Sequence, residues 1–164
     1  MTQPSTGAPR GRVSPLAEAA ADLVREARRG ILSTLASEDG YPYGSLVELL
    51  PTPEGDVVMY LSRLAEHQHY LEQDRRASIA IAPHMFEPNA MAQPRVTLVG
   101  DVERVEDRDL YASRYVALHP AAGSYITFPD FQFYRLRVQR ARYIAGFGQM
   151  GWIKGDAYRA AGPE

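Results

Sequence analysis

The sequence contains no cysteine, and only one of its 18 basic residues, Lys154, is a lysine. The absence of cysteine excludes disulfides, thiolate metal sites and a cysteine nucleophile. The scarcity of lysine leaves Schiff-base chemistry with one candidate, in a glycine-flanked segment near the C-terminus. Arginine, with its planar fork of donors, must therefore carry any recognition of anions.

Long apolar runs and a charge excess are also missing. No stretch approaches the ~20 apolar residues that span a bilayer, and residues 1–15 lack the apolar core of a signal peptide. The formal net charge of the 164-residue chain is −2, which argues against nonspecific binding of nucleic acid. We therefore expect one soluble, cytoplasmic domain that has no nucleic-acid or membrane partner.

The order of elements follows from the apolar periodicity. Residues 1–13 are rich in proline, glycine, serine and threonine, which predicts a disordered arm. Ser14 and Pro15 begin an amphipathic helix that ends at about residues 28–30. Alternation then predicts strands at 31–37, 43–51, 57–62, 78–82, 95–105 and 131–148, with helices at 64–73 and 107–120. The domain is expected to span 14–153, followed by a C-terminal tail at 154–164.

Six mostly antiparallel strands with few helices between them predict a mainly β fold. A closed or nearly closed barrel with flanking helices is expected, because closure removes exposed sheet edges.

A polar turn after the third strand is the first candidate site. Ser62, Arg63 and His67 gather where strand gives way to helix, and a spacing of four places Arg63 and His67 on one helix face. Hydroxyl, guanidinium and imidazole groups at a helix N-terminus can all donate to an anion, so the turn predicts a phosphate site. The alternative is that Ser62 only caps the helix and the other two side chains are solvated.

Two later segments add candidates. Arg95 and Thr97 share one face of a strand, either as paired donors or as its solvated side. The segment from Gly146 to Trp152, GFGQMGW, combines three glycines with the single tryptophan of the chain. It suits either the close approach of a flat ligand or a flexible exit from the last strand, with Trp152 closing the barrel end.

Other chemistries find little support. The four histidines lack the spacing of a metal site, although His84 or His119 could in principle ligate a haem iron. No nucleophile, base and orienting group can be assembled from sequence neighbours, and the catalytic residues stay unassigned. If the protein is an enzyme, a cofactor is expected to supply the chemistry.

Four segments together resemble the FMN-binding split-barrel family, the pyridoxamine 5′-phosphate oxidase-like proteins, and are most similar to its haem-utilisation branch. They are RRGILSTLASEDGYPYGSLVEL, MYLSRLAEHQHYLEQDRRASI, PRVTLVGDVERV and YRLRVQRARYIAGFGQMGWI. The resemblance covers roughly residues 28–153. It implies a homodimer of six-stranded split barrels with FMN in a cleft between the subunits, and it suggests a flavin-dependent oxidoreductase acting on a small molecule.

The resemblance also implies a set of site residues. Ser62, Arg63 and His67, with the strand bearing Arg95 and Thr97, would hold the FMN phosphate. The flavin ring would lie beside the segment Gly44, Ser45, Leu46 and Val47, and Gln149 and Trp152 would reach it from the other subunit.

The chain departs from the family at one point. Where the family commonly has His-Thr-x-Asn-Leu, this sequence has His67, Gln68, His69, Tyr70 and Leu71. The amide of Gln68 is the expected replacement for the lost hydroxyl donor. Two alternative functions stay open, a haem-binding or haem-utilisation protein and a cofactor-free interaction module. The loop at 84–94 is expected to face the substrate.

Overall fold

The computed structural model describes residues 13–146 and 148–162. The expected N-terminal arm therefore lies outside the described residues except for Val13. Eight strands form one antiparallel sheet in the order β2-β1-β5-β6-β7-β4-β3, with β8 added beside β7. The elements are α1 (Pro15–Glu26), β1 (Arg29–Leu35), β2 (Pro42–Glu48), β3 (Leu50–Pro51), β4 (Val57–Ser62), α2 (Glu66–Gln73), β5 (Arg76–Ile81), β6 (Pro94–Arg104), α3 (Asp109–Leu118), β7 (Phe131–Ala145), β8 (Met150–Lys154) and α4 (Gly155–Ala160).

The sheet curls around a main core, and a second core lies on its outside. Leu32, Ile79 and Leu98 lie in the main core, which is covered by the apolar face of α1 and by Leu71 of α2. The second core holds tyrosines and Phe133 beneath α3 and the 3₁₀ helix Pro120–Ser124. Strand β4 lies between the two cores, which is why its sequence is apolar at nearly every position.

The predicted mainly β split barrel is confirmed, but it has eight strands rather than six. The predicted strand 43–51 is broken into β2 and the short β3, and the glycine-rich exit turns back to form β8 against β7. The expected tail from residue 154 instead contains α4, whose Tyr158 is buried in the main core. Helix α1 ends at Glu26, earlier than expected, because Ala27 is already extended.

A β-bulge decides which arginines face outward on β7. Val99 of β6 pairs with Arg140, whereas the next residue, Gly100, pairs with Val138, so Gln139 is an extra residue in β7. Strict alternation from Val138 would send Arg140 and Arg142 inward. The bulge reverses the alternation and keeps both arginines on the outside.

Candidate functional site

The turn after β4 brings together Ser62, Arg63 and a residue that the sequence did not single out, Asp130. The Ser62 hydroxyl donates to Oδ2 of Asp130 at 3.0 Å and accepts from the backbone N–H of Leu64 at 3.1 Å. The backbone N–H of Arg63 donates to the Asp130 carbonyl at 2.7 Å, and its exposed guanidinium donates to the Pro129 carbonyl at 3.3 Å. A carboxylate therefore lies inside the expected phosphate site.

The start of α2 corrects the expected geometry of this turn. The helix begins at Glu66 with Ala65 as its N-cap, so Ser62 is not the cap and Arg63 lies outside the helix. The physical reason is that Ser62 still pairs with Phe131 as the last residue of β4, and its carbonyl accepts from the Ala65 N–H. Arg63 and His67 consequently do not share a helix face.

His67 contacts the predicted ring-binding segment of β2. Its Nδ1 lies 3.1 Å from Oγ of Ser45, at hydrogen-bond distance. Burial lowers the pKa of His67, which favours the neutral imidazole near pH 7. Ser45 is half-buried, whereas Val47, two residues along the same strand, is buried in the core and can offer only its backbone.

Gln68 lies away from the turn. Only 5% of its surface is exposed, and its amide nitrogen donates to the Tyr134 hydroxyl at 2.7 Å and to Oε1 of Glu72 at 2.8 Å. Both N–H groups are therefore used inside the fold, and the structure does not bring this amide to the site as a replacement donor.

Arg95 and Thr97 share the outer face of β6, as predicted, while Val96 and Leu98 are buried beneath it. The guanidinium of Arg95 donates to the carbonyls of Met91 at 2.9 Å and Gln93 at 3.3 Å. In the sheet order β2-β1-β5-β6, this pair lies three strands from Ser45 and so forms no direct contact with it.

The glycine-rich segment is a hairpin between β7 and β8. Gly146 and Gly148 have φ values of 75° and 85°, which only glycine adopts readily, and Phe147 between them lies outside the described residues. Gln149 is exposed, and its carbonyl accepts from the Ala145 N–H at 2.8 Å. Trp152 lies on β8 and is 58% exposed, so it does not close the barrel end.

Across six neighbouring strands, one row of residues points outward, and we call the surface around it the open face. Leu46 and Trp152 stand at the two ends of the row, and both are largely exposed, at 68% and 58%. The neighbouring outward positions on β1 and β5 are small or weakly polar, such as Ser33 and Ser78. The row is Leu46, Ile31, Ala80, Thr97, Arg142 and Trp152.

Two arginines that the sequence did not single out give the open face its charge. The guanidinium carbons of Arg140 and Arg142 lie 5.1 and 5.9 Å from the centre of the Trp152 ring, within the range of a cation–π contact. Neither forms an ion pair with a carboxylate in the described part of the chain. The alternation of apolar and charged residues along β7 could have predicted outward-facing arginines. It could not predict which arginines lie together, because the bulge shifts the alternation and is not visible in the sequence.

The histidines separate into different environments. His119 is buried, with Nε2 2.9 Å from the Leu49 carbonyl and Nδ1 3.6 Å from Oε1 of Glu48, so both ring nitrogens face protein groups. His84 is exposed, and its Nδ1 lies 2.7 Å from Oε1 of Glu87. Among residues 13–146 and 148–162, no three His, Asp or Glu side chains cluster as metal ligands would.

Comparison with known proteins gives relatives along most of the chain. The chloroplast non-canonical haem oxygenase HOZ of Arabidopsis thaliana is 34% identical over 139 residues, which are 80% of this chain and 42% of HOZ. A haem-binding protein from Mycobacterium smegmatis is 39% identical with a TM-score of 0.80, covering 90% of this chain and 61% of that protein. The chain thus spans less than two thirds of the length of either relative.

A more distant structure shows the fold alone. A Clostridium acetobutylicum protein of the pyridoxine phosphate oxidase family is 16% identical with a TM-score of 0.67, and the alignment covers 87% of this chain and 96% of that protein. No helix in the described part of our chain is long and apolar enough to cross a membrane.

The family itself is given by a match over nearly all of the described residues. The model of the CREG β-barrel family matches residues 13–160. The chain therefore belongs to the CREG β-barrel family, within the FMN-binding split-barrel, pyridoxamine 5′-phosphate oxidase-like superfamily.

Proposed function

We propose that the protein binds haem on the open face, as a homodimer, and takes part in haem utilisation. The observation that carries the proposal is the make-up of this face, where Arg140 and Arg142 adjoin an exposed tryptophan, Arg95 lies on the same side of the next strand, and a floor of small residues continues beyond it. A porphyrin is a flat apolar ring with two carboxylates. Arginine forks suit the carboxylates, and the indole suits the ring.

The identities of the relatives support the same ligand. Both HOZ and the Mycobacterium smegmatis protein are named for haem, and both are more than 30% identical to this chain. The turn after β4 points the same way, because the Asp130 carboxylate on the Ser62 hydroxyl opposes a dianionic phosphate.

The length of the open face supports the proposed homodimer. Measured along the curled sheet, Leu46 and Trp152 lie five strand spacings apart, about 24 Å, so a flat cofactor on one subunit does not follow the surface from one to the other. Both side chains are apolar and exposed. A second copy related by a two-fold axis would place the partner's Trp152 near Leu46 and cover both.

His84 is the histidine best arranged to ligate a haem iron. A carboxylate on one ring nitrogen fixes the tautomer and leaves the other nitrogen available, as is common for metal-bound histidine. Glu87 holds Nδ1 of His84 in this way. The loop at 84–94 also exposes Phe86 and Met91, which would pack on the same ring.

A spectroscopic titration distinguishes the candidate cofactors. Purified protein is titrated separately with haem and with FMN while absorbance is followed, and its mass in solution is measured before and after. Haem binding predicts a saturable Soret band, a dimeric mass, and a shifted band in the His84→Ala variant. A protein that is yellow as isolated and releases FMN on denaturation contradicts the haem proposal. A protein that binds neither ligand also contradicts the haem proposal and would favour the cofactor-free interaction module.

FMN-dependent oxidoreduction is the second candidate, and it is favoured by the exposed guanidinium of Arg63, which has no carboxylate partner among the described residues. Ser62, Arg63 and His67 would hold the phosphate, and the β2 segment with Gln149 and Trp152 would face the ring. In that case the variant carrying Arg63→Ala and His67→Ala retains no FMN. Unchanged flavin occupancy would contradict the phosphate assignment.

The Asp130 carboxylate gives this second candidate a sharper test. Asp130→Asn keeps an acceptor for the Ser62 hydroxyl and removes the negative charge, so the affinity for FMN should rise by about tenfold, or 1.4 kcal/mol. Riboflavin, which lacks the phosphate, is the matched control and should bind equally to both proteins. Flavin fluorescence quenching measures both affinities, and an equal change for the two ligands would place the phosphate elsewhere.

A further inference from the structure

A groove at another part of the barrel shares no residue with the open face or with the turn after β4. It lies among α1, the β3–β4 hairpin, α3 and α4 and has a volume of about 480 Å³. Its walls combine three arginines with apolar side chains, and we call it the arginine groove: Arg25, Arg28, Arg114, Val24, Leu118 and Tyr158 are among its lining residues. This volume is within the range of small-molecule sites.

The charge of the arginine groove is only partly neutralised. Arg25 pairs with Asp22 at 2.6 Å. Among the described residues, Arg28 donates only to backbone carbonyls, and Arg114 donates to the Pro51 carbonyl at 3.4 Å. In the described part of the chain, neither Arg28 nor Arg114 has a carboxylate within 4 Å.

Two other carboxylates lie near the groove but do not neutralise Arg28 and Arg114. Hydrogen bonds from its own backbone N–H and from the Thr52 hydroxyl are the main groups that lower the pKa of Glu54, with smaller contributions from Arg135 and Arg114, and its ion pair is with Arg135 at 3.6 Å. Asp56 is held by arginines of β7. The groove therefore keeps an excess of positive charge.

A buried hydroxyl supplies an independent observation. Tyr158 forms part of the groove wall and is 1% exposed, and its hydroxyl has no hydrogen-bond partner among the described residues. Gly55 leaves room for the ring, because a Cβ atom there would lie 2.9 Å from it. An unpartnered buried hydroxyl is costly, and phenylalanine would pack as well without that cost.

We propose that the arginine groove binds a small organic anion, a carboxylate with an aryl or aliphatic body. Arg28 and Arg114 would pair with the carboxylate, and Val24 and Leu118 would contact the apolar body. Binding would open the groove wall enough for the ligand to reach the buried Tyr158 hydroxyl, which would then gain the partner that it lacks. The inference is independent of the haem or flavin proposal, because no residue of those sites lines this groove.

The test uses the full chain and a pair of ligands that share the phenylbutyl body and differ in the head group, a charged carboxylate against a neutral hydroxyl. 4-Phenylbutyrate is titrated by calorimetry and by NMR, and 4-phenylbutan-1-ol is the neutral control. The proposal predicts saturable carboxylate binding with NMR shifts at groove residues, and affinity for the alcohol about tenfold weaker. Absence of saturable carboxylate binding, or equal affinity for both ligands, would overturn it.

Variants distinguish a binding groove from a merely structural one. The double variant Arg28→Gln, Arg114→Gln should lose about tenfold or more in carboxylate affinity, whereas Arg104→Gln, on β6 away from the groove, should bind as the parent does. Tyr158→Phe should lose affinity without losing stability, because its hydroxyl forms no bond in the free protein. If the double variant binds the carboxylate as tightly as the parent, the assignment is wrong.

Discussion

Asp56 is a buried charge that several groups hold in place. Its carboxylate accepts hydrogen bonds from Nε of Arg135 at 2.8 Å and the Val138 N–H at 2.9 Å, and it forms an ion pair with Nε of Arg137 at 3.2 Å, with its side chain 2% exposed. These contacts anchor the β3–β4 hairpin to β7. The proline- and glycine-rich turn in the sequence predicted the hairpin, but nothing in it predicted partners some 80 residues away.

Removing this carboxylate should therefore be severe. Asp56→Ala leaves Arg135 half-buried without its main partner, and we expect the free energy of unfolding to fall by about 3–5 kcal/mol. Glu103→Ala is the matched control, because Glu103 also faces Arg137, at 4.0 Å, but is half-exposed, so its loss should cost less than about 1 kcal/mol. Urea unfolding measures both, and similar losses would contradict this account of Asp56.

His67 makes stability depend on pH in a defined direction. Burial lowers its pKa below the ordinary 6.5, so the unfolded chain takes up a proton at a higher pH than the folded chain does. The stabilising contribution is complete above about pH 6.5 and is lost as the pH falls through the interval down to the folded pKa. His67→Gln should remove this part of the decline between pH 7.5 and 5.5. Parallel stability curves for parent and variant would show that His67 does not contribute.

At the scale of the elements, local patterns predicted most strands because each has its own alternation or apolar run. Strand β4 was predicted with its observed bounds, since both of its faces are buried. Strand β8 and α4 were missed because their stability comes from packing on β7 and the main core, and five- and six-residue segments carry little periodicity of their own. The predicted start of α2 was wrong because the Ser62 hydroxyl forms its hydrogen bonds with Asp130 and the Leu64 N–H in the turn and does not cap the helix.

The bulge between β6 and β7 depends on Gly100. A Cβ atom at this position would overlap the backbone carbonyl oxygen of Arg137, which cannot rotate away as a side chain would. Gly100→Ala should therefore lower the free energy of unfolding by about 1–3 kcal/mol. Gly123→Ala is the control, because its nearest neighbour would be a side-chain methyl at 3.8 Å. Equal melting temperatures for the two variants would show that the bulge tolerates a side chain.

At the scale of the whole molecule, the sequence predicted the barrel but not its surfaces. The sheet order β2-β1-β5-β6-β7-β4-β3 joins strands far apart in the chain, so no local pattern could show that Thr97, Arg142 and Trp152 share one row. The candidate site in the structure therefore differs from the one predicted from the sequence. Ser45 and His67 do meet, Ser62 and Arg63 share their turn with Asp130, and Gln68 turns inward.

The open face is also distinct from the arginine groove, and the two predict different ligands. The open face is long and has an exposed tryptophan, which suits a ring bound between two copies of the chain. The arginine groove is concave and of about 480 Å³, which suits one small anion. Neither could be recognised from residue spacing, because each joins at least three elements.

Haem binding at the open face is tested by a haem titration of the variant Arg140→Gln, Arg142→Gln. Because both guanidinium groups lie beside Trp152, we expect the double variant to bind haem about tenfold or more weakly, while Arg104→Gln binds as the parent does. The Soret absorbance gives both affinities. Equal haem affinity in the double variant and the parent would contradict the assignment of the open face.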